Sequence, residues 1–251
     1  MTKPLSGRVA VVTGSAKRMG KAIALELARD GAAIVVNSLS DEAAAHATAK
    51  EIEALGSRAV VCMADVTQEE DAARLIQTAI DSFGQLDILL SVPSPRPQAP
   101  IEEMSLETFT HTLSVVLNGA FLTIRAAAPH IRKSPAGRII TLGGQGTHRG
   151  AKNRVNVSAA KGGLVGMTRT LAREFGGDAT VNCVAPGTIV DDSDSPEATE
   201  NRLKLTPVEG IPMGRPGRIA DVTAMIAFLC SDKGGYITGQ TLHVGGGSVM
   251  P

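Results

Sequence analysis

Aromatic residues are scarce in this sequence. They make up 2% of the 251 residues, tryptophan is absent, and Tyr236 is the only tyrosine. Net charge is absent as well, because 25 lysines and arginines balance 25 aspartates and glutamates. Proteins that bind nucleic acids or acidic membranes normally carry an excess of basic residues. The balanced charge therefore argues against both kinds of partner.

Cysteines and long apolar runs are also few. The three cysteines lie far apart and form no Cys-x-x-Cys pair, which argues against a zinc site and a disulfide framework. Residues 1–8 lack the apolar segment of a signal peptide, and no apolar run approaches the roughly 20 residues of a membrane helix. We expect a cytoplasmic protein without a metal site, whose cysteines Cys62, Cys183 and Cys230 are buried free thiols.

The sequence does contain a regular alternation of short β-branched runs and helical patterns. Glycines such as Gly31 and Gly56 end the helices between the predicted strands. Strands that are separated by helices form a parallel sheet with helices on both faces, and the length suits one large domain. We therefore predict a single doubly wound α/β domain of the Rossmann type over residues 1–251, with strands at 9–12, 33–36, 58–63, 86–90, 138–142, 181–184 and 241–244.

Three loops and one helix start carry further local signals. Four prolines within residues 93–100 predict an irregular loop, and residues 143–154 form a glycine-rich, basic loop. The polar segment 188–210 predicts a mobile flap over the active site. Thr67 and Glu70 have the spacing of a capping box at the start of a helix.

A glycine-rich turn stands between the first strand and the first helix. Gly14 would allow a tight turn, and Gly20 would let the helix pack closely against the strand. The helix N-terminus then presents free N–H groups and a positive dipole end to a pyrophosphate. A turn that merely needs glycine is the alternative. The strand–turn–helix context favours a dinucleotide site formed by Gly14, Ser15, Lys17, Arg18, Met19 and Gly20.

The residues after the second strand favour NADP(H) over NAD(H). An NAD site normally has an acidic residue here that binds the ribose 2′-hydroxyl, whereas this chain has Asn37 and Ser38. We predict that Lys17 holds the 2′-phosphate while Asn37 and Ser38 donate hydrogen bonds to it. The alternative is that Lys17 and Arg18 are solvated loop charges.

Several further motifs follow in order along nearly the whole chain. They are Thr13-Gly14 with Gly20, Ala64-Asp65-Val66, Leu86-Asp87-Ile88-Leu89, Ser158-Ala159-Ala160-Lys161-Gly162-Gly163, Asn182-Cys183-Val184-Ala185-Pro186-Gly187 and Tyr236-Ile237-Thr238-Gly239-Gln240. In these motifs the sequence resembles the short-chain dehydrogenase/reductase family, close to its 3-oxoacyl-carrier-protein reductase type. The basic pair Lys17-Arg18 is similar to the pteridine reductase-like branch, in which such a pair serves NADPH.

The resemblance implies cofactor residues beyond the glycine-rich turn. Asp65 and Val66 would lie at the adenine, and Pro186, Gly187 and Ile189 would lie near the nicotinamide. The resemblance also implies a homo-oligomer, either a dimer or a tetramer. The long helices and the C-terminal strand would form its contacts.

Most of the family's catalytic residues are replaced. By resemblance, a tyrosine exchanges a proton with the substrate, a lysine four residues later binds the nicotinamide ribose, and a serine and an asparagine complete the set. Lys161 keeps the lysine position. Val157 stands at the tyrosine, Gly144 at the serine and Val116 at the asparagine. Because none of these three can exchange a proton, we do not expect carbonyl reduction by the family's usual mechanism.

Another group would then have to supply the proton. His148 titrates near neutrality and lies with Arg154 in the basic loop beside the expected active site, so both are candidate donors. Arg96 and Asp191 are further candidates at the mouth of the pocket, and an exposed loop histidine is the alternative for His148. The replaced positions would make the pocket floor apolar, which suits a bulky or hydrophobic ligand or a site no longer used for reduction.

Three functions remain open. The first is an NADP(H)-dependent oxidoreductase that acts on a small or bulky apolar carbonyl or hydroxyl compound with a non-standard proton donor. The second is a non-redox enzyme, such as a cyclase, dehydratase or isomerase. The third is an inactive homologue that forms a mixed oligomer with an active relative. The retained turn, Asp65 and Lys161 favour the first function.

Overall fold

A seven-stranded parallel sheet forms the centre of the protein. The computed structural model describes residues 3–191, 194–205 and 208–250. The strands are β1 (Val9–Val12), β2 (Ala33–Ser38), β3 (Ala59–Met63), β4 (Ile88–Ser91), β5 (Gly137–Leu142), β6 (Ala179–Pro186), β7 (Ile189–Val190), β8 (Gly217–Arg218) and β9 (Thr241–Val244). The sheet has the order β3-β2-β1-β4-β5-β6-β9, while β7 and β8 form a separate short pair.

Helices cover both faces of the sheet. One apolar core includes Ile23, Leu27 and Ile226 from helices on the first face, and a second includes Leu75, Ile124 and Leu164 from helices on the other. The helices are α1 (Arg18–Arg29), α2 (Glu42–Ala54), α3 (Glu69–Phe83), α4 (Leu106–Leu113), α5 (Gly119–Ile131), α6 (Gly146–Arg149), α7 (Val155–Phe175), α8 (Pro196–Leu205) and α9 (Ile219–Cys230).

The strand order reverses between β1 and β4. β1 pairs with β2 on one side and with β4 on the other. Loops that leave such a reversal point in opposite directions open a crevice at the carboxyl ends of the strands. The two loops lie close together here, because a Cβ on Gly14 would lie 3.1 Å from Cγ of Pro93. The topology thus places the glycine-rich turn beside the proline loop.

The predicted α/β fold is confirmed, and the strand boundaries agree with the prediction to within two residues. The predicted capping box is wrong. α3 begins at Glu69, and the Thr67 hydroxyl donates to Asp65 Oδ1 at 2.8 Å instead of capping the helix. The preceding turn therefore uses the hydroxyl, and three carboxylates in the first turn favour the helix start through its dipole.

Two segments contain more regular structure than predicted. The basic loop includes α6, and the predicted flap 188–210 includes β7 and α8. Residues 192–193 and 206–207 of that flap lie outside the described residues. The proline loop 93–100 is irregular, as predicted. The mobility of the flap stays a prediction.

The helical region Leu106–Ile131 is long and apolar enough to cross a membrane by length and composition. No single apolar run in this region approaches the length of a membrane helix, because polar residues interrupt it. Val116, Ile124 and Ile131 on its inward face are buried in the second core, and α5 packs against α3. This packing is that of a core helix.

The three cysteines are free and buried, as predicted. Burial raises the pKa of the Cys230 thiol to about 12, so this thiol stays neutral. Buried neutral thiols act as small apolar groups in the core. Within the described ranges, no group of three or more His, Cys, Asp or Glu side chains is arranged to hold a metal ion.

Asp87 connects strands on both sides of the reversal point. Its side chain lies just before β4 and is 3% exposed. Oδ2 accepts the N–H of Val9 at 2.8 Å, and Oδ1 accepts the Ser134 hydroxyl at 2.6 Å. The carboxylate thus satisfies buried donors from β1 and from the loop before β5.

Replacing Asp87 by alanine should lower the free energy of unfolding by about 2–4 kcal/mol, because three donors lose their acceptor: the N–H of Val9, the Ser134 hydroxyl and the Gln85 amide. Chemical denaturation of the variant and the wild type measures the difference. Asp81, which accepts from Gln77 on the exposed face of α3, offers a matched control. Asp81→Ala should change stability by less than about 0.5 kcal/mol, and equal effects of the two variants would contradict the assignment.

Candidate dinucleotide site and catalytic positions

The turn after β1 brings α1 close to the strand. Gly14 has a φ of +61°, which favours glycine. A Cβ on Gly20 would lie 2.2 Å from the carbonyl oxygen of Gly14, so this helix position requires glycine too. Ser15 Oγ donates to the Val12 carbonyl at 2.6 Å and fixes the turn from inside. The geometry thus requires both glycines, whatever binds there.

The start of α1 is open to an anion. Its N-cap residue, Lys17, makes no capping hydrogen bond with its side chain, so the first N–H groups of the helix are available. A cavity of about 460 Å³ adjoins this helix start. Its wall includes Gly14, Lys17, Arg18, Met19 and Gly20 from the turn and Arg96, Ile189 and Asp191 from the loops after β4 and β6.

Asn37 has a different role from the one predicted. Its side-chain oxygen accepts the N–H of Gly14 at 3.0 Å, and its amide donates to the carbonyls of Cys62 and Ala64, both at 3.1 Å. The residue is 2% exposed. Both amide hydrogens are thus already bonded, so the predicted hydrogen bond to a 2′-phosphate is wrong for Asn37. The Ser38 hydroxyl, which accepts the N–H of Asp41 at 3.1 Å, can still donate.

Both basic residues of the turn form ion pairs. Lys17 Nζ contacts Asp41 Oδ2, and Arg18 Nη2 lies 2.8 Å from Asp194 Oδ1. Arg18 itself has a φ of +50°, and its position is the one where the family usually has glycine. The two side chains are thus more than half exposed but paired, unlike the unpaired loop charges of the alternative interpretation.

The residues predicted at the adenine follow β3. Asp65 Oδ1 accepts from the N–H and the hydroxyl of Thr67 at 2.9 and 2.8 Å. Val66 is buried against Gly119, where a Cβ would lie 2.9 Å from Val66 Cγ2. Because β3 pairs with β2, these residues lie at the same edge of the sheet as Ser38.

The residues predicted at the nicotinamide follow β6. The N–H of Gly187 donates to the Val244 carbonyl at 2.9 Å. A Cβ on Gly187 would lie 2.6 Å from Cα of Gly245, so the two segments are in close contact. Pro186 ends the strand, and Ile189 reaches the cavity wall.

Lys161 is buried at the carboxyl end of β5. It is 7% exposed, and its Nζ donates to the carbonyl of Gly143 at 2.7 Å. Burial, together with the positive charges of Arg96 and Arg154, lowers the pKa of Lys161 to about 7, although Cys183 acts in the opposite direction. At neutral pH this amine can therefore both donate and accept a proton.

Arg96 links Lys161 to the cavity, since it lines the cavity wall and also acts electrostatically on Lys161. Arg154 directly precedes α7, the helix that carries Lys161. The structure thus brings Lys161, Arg96 and Arg154 together. Their charges have the same sign, and such a group can stabilise negative charge on a nearby oxygen.

The three positions at which the sequence predicts replaced catalytic residues are apolar. Val116 is 2% exposed and lies on a π-helical segment, Ser114–Asn118, while Val157 in the first turn of α7 is 8% exposed. A Cβ on Gly144 would meet only Lys161, with its Cδ and Nζ both at 3.4 Å. Glycine here leaves space beside the amine. Asn118 is exposed and does not replace the missing asparagine.

His148, a predicted proton donor, is engaged elsewhere. It is exposed on α6, and its ring packs edge-to-face on His243 of β9 with centroids 4.5 Å apart. Burial and the neighbouring His148 lower the pKa of His243. Among the contacts of the described residues, none joins His148 to Lys161. The structure therefore does not support His148 as the donor.

Two carboxylates at the site were missed by the sequence analysis. Asp41 occupies the N-cap position of α2 and accepts the N–H of Ala44 at 2.9 Å. Its capping pattern can be read from the sequence, but its contact with Lys17 crosses between two loops. Asp194 lies beyond β7, and no local pattern points to its contact with Arg18.

Comparisons with known proteins give the family. Residues 14–248 match the family model described as enoyl-(acyl carrier protein) reductase. The chain is 37% identical over 249 residues to the 3-oxoacyl-[acyl-carrier-protein] reductase of Synechocystis sp., which covers 98% of each chain. This chain belongs to the short-chain dehydrogenase/reductase family. Members are oxidoreductases that use nicotinamide cofactors.

Two other similarities cover nearly the whole chain. A crystal structure of a dehydrogenase/reductase from Sinorhizobium meliloti 1021 superimposes with a TM-score of 0.90 at 32% identity, covering 99% of this chain and 98% of that one. The (2S)-[(R)-hydroxy(phenyl)methyl]succinyl-CoA dehydrogenase subunit BbsD of Thauera aromatica is 36% identical over 246 residues, 97% of each chain. The resemblance that was stated from the motifs is thereby confirmed.

The buried amine of Lys161 should make stability depend on pH. Its pKa is lowered in the folded protein, so the unfolded chain binds more protons between about pH 7 and the usual lysine range. Over that window the contribution of Lys161 to stability rises with pH.

Lys161→Met removes the titrating amine. The difference in melting temperature, variant minus wild type, should therefore decrease from pH 7 to pH 10. Each kcal/mol corresponds to roughly 2–4 °C for a chain of this size. Differential scanning fluorimetry across pH measures the difference. Lys152→Met, at an exposed position of the basic loop before α7, should show a constant difference. A flat profile for Lys161→Met would refute a lowered pKa.

Proposed function

We propose that this chain is an NADP(H)-dependent oxidoreductase in which Lys161, rather than a tyrosine, exchanges the proton with the substrate. The observation that carries the proposal is the buried Lys161 amine, which lies beside the space left by Gly144. Its pKa is lowered to about 7. General acids and bases work best with a pKa close to the working pH.

The residues present fit a dinucleotide. The tight turn, the uncapped start of α1 and the adjoining cavity suit a pyrophosphate. Lys17 and the Ser38 hydroxyl would contact a 2′-phosphate. When bound, the nicotinamide supplies or accepts the hydride.

Lys161 would hold the proton at Nζ. Its ammonium form would donate to a carbonyl oxygen in reduction, and its neutral amine would accept from a hydroxyl in oxidation. Arg96 and Arg154 would stabilise negative charge that develops on that oxygen. Val116 and Val157 make the pocket floor apolar, which favours a small or bulky apolar carbonyl or hydroxyl compound as substrate.

Membership of the family also indicates how the chain assembles and where it is located. We infer a homo-oligomer, a dimer or tetramer, built from one Rossmann-type domain per chain and located in the cytoplasm. The described residues of the segment 188–210 would act as a mobile flap over the cavity, since Ile189 and Asp191 line its wall.

A second candidate is an inactive subunit of a mixed oligomer with an active homologue. Two observations favour it. The positions of the tyrosine, serine and asparagine are all apolar here, and one relative, BbsD of Thauera aromatica, is named as a subunit of a CoA-ester dehydrogenase. Purification from the native host, followed by identification of copurifying chains, separates this candidate from a self-sufficient enzyme.

The proposal predicts a pH dependence of turnover. Reduction needs protonated Lys161, so the rate of NADPH oxidation with a panel of carbonyl compounds should fall as pH rises through about 7. The reverse reaction should rise over the same range. Lys161→Arg keeps the charge but cannot give up a proton at these pH values, so it should retain NADPH binding and lose turnover.

Three results would contradict the proposal. They are the absence of any NADPH-induced thermal shift, full activity of Lys161→Arg, and loss of activity in His148→Ala. The thermal shift tests cofactor binding, because a ligand that binds only the folded state stabilises it.

The missing hydroxyl groups can also be put back. A Cβ at position 144 meets only the flexible Lys161 side chain, so Gly144→Ser with Val157→Tyr should fit. This double variant should raise NADPH-dependent reduction of a 3-oxoacyl thioester by about 10²-fold or more, measured at 340 nm. Val155→Tyr, at a 40% exposed position of the same helix, is the control that should have no effect. An unchanged rate in the double variant would show that cofactor and Lys161 are not productively aligned.

A further inference from the structure

The ion pair between Lys17 and Asp41 lies where a nucleotide 2′-phosphate is expected. Lys17 lines the cavity at the start of α1, and its Nζ contacts Asp41 Oδ2. Asp41 is the N-cap residue of α2, three residues after Ser38, which ends β2. A carboxylate therefore stands next to the end of β2, although none occurs within the strand.

Asp41 is held in place by hydrogen bonds to Ala44 and Ser38. Oδ1 accepts the N–H of Ala44 at 2.9 Å, and the N–H of Asp41 itself donates to the Ser38 hydroxyl at 3.1 Å. Oδ2 remains for Lys17. The carboxylate thus has a fixed position, whereas Lys17 is the long, 63% exposed partner that can move.

We propose that Asp41 sets the choice between NADP(H) and NAD(H), by neutralising Lys17 and by placing a carboxylate against the 2′-position of the ribose. This inference rests on the proposed function, because it concerns the same nucleotide site. A free 2′-hydroxyl can donate to a carboxylate at this edge of the sheet. A 2′-phosphate is repelled by it and must draw Lys17 away from it.

Lys17 is the cation that is best placed to contact a 2′-phosphate, because the neighbouring polar groups are already bonded or carry no charge. Asn37 is fully hydrogen-bonded inside the sheet edge. Arg18, the other cation of the turn, pairs with Asp194, whose side chain is 2% exposed. Ser38 can donate one hydrogen bond but carries no charge. The charge at the 2′-position therefore depends on the balance between Lys17 and Asp41.

The charge of Asp41 persists at physiological pH. The hydrogen bond from Lys17 and the backbone N–H of Ala44 together hold the pKa of Asp41 below its usual range. The carboxylate is thus ionised throughout the range in which a nicotinamide nucleotide would be bound. The wild type should accordingly show only a modest preference for NADP(H).

Asp41→Asn is the informative variant, because asparagine keeps the cap of α2 and removes the charge. Isothermal titration with 2′,5′-ADP, NADP⁺ and NAD⁺ measures the dissociation constants. The variant should bind 2′,5′-ADP and NADP⁺ about three- to tenfold more tightly, while NAD⁺ binding stays the same or weakens. The ratio of the NAD⁺ to the NADP⁺ dissociation constant therefore rises.

Two further variants complete the test. Lys17→Met should weaken NADP⁺ binding about three- to tenfold, and the double variant with Asp41→Asn should lose most of the gain. Glu42→Gln is the matched control, because Glu42 is the exposed next residue and faces His46 rather than Lys17. It should leave all constants unchanged.

The outcomes separate the two proposals. If NADP⁺ and NAD⁺ bind but Asp41→Asn leaves their ratio unchanged or lowers it, the role of Asp41 is overturned while the proposed function stands. An equal rise of the ratio in Glu42→Gln would also overturn it, since a general charge effect would suffice. If neither nucleotide binds to the wild type or to any variant, both proposals fail.

Discussion

One buried amide holds together the edge of the sheet on which the candidate site is built. The Asn37 side chain accepts the N–H of Gly14 and donates to the carbonyls of Cys62 and Ala64, so it joins the ends of β1, β2 and β3. A buried polar group left unsatisfied costs about 1–3 kcal/mol. The shape of the glycine-rich turn is therefore set by hydrogen bonds within the protein, and the start of α1 is positioned as a consequence.

The chain has no net charge, but its charged residues are arranged in two different ways within the candidate site. At the nucleotide end of the site, each cation is matched by a carboxylate, as in the contacts of Lys17 with Asp41 and of Arg18 with Asp194. Around Lys161, by contrast, Arg96 and Arg154 add charge of the same sign to a buried amine. Exposed pairs exchange partners at little cost, whereas a buried amine responds by a shift of its pKa.

Much of the architecture could be predicted from periodicity and spacing. Short β-branched runs are local signals, so the seven strands of the main sheet were predicted with correct or nearly correct bounds, whereas the short strands β7 and β8 were not. Lys161 and Val157 were assigned to their positions through the resemblance of the surrounding motif to the family. The capping role of Thr67 was wrong because Asp65 competes for the same hydroxyl, and a short spacing pattern carries no information on such competition.

The sequence by itself determined the parallel sheet and the family, and it predicts that the family's tyrosine is replaced, because the chain contains one tyrosine, Tyr236, which belongs to another motif. The tertiary structure decided which polar groups are still available. It buries Asn37 in backbone hydrogen bonds, pairs Lys17 with a helix cap, turns His148 toward His243 and desolvates Lys161. The physical reason is that hydrogen bonds, ion pairs and desolvation depend on groups far apart in the chain, whereas helix and strand patterns depend on neighbours.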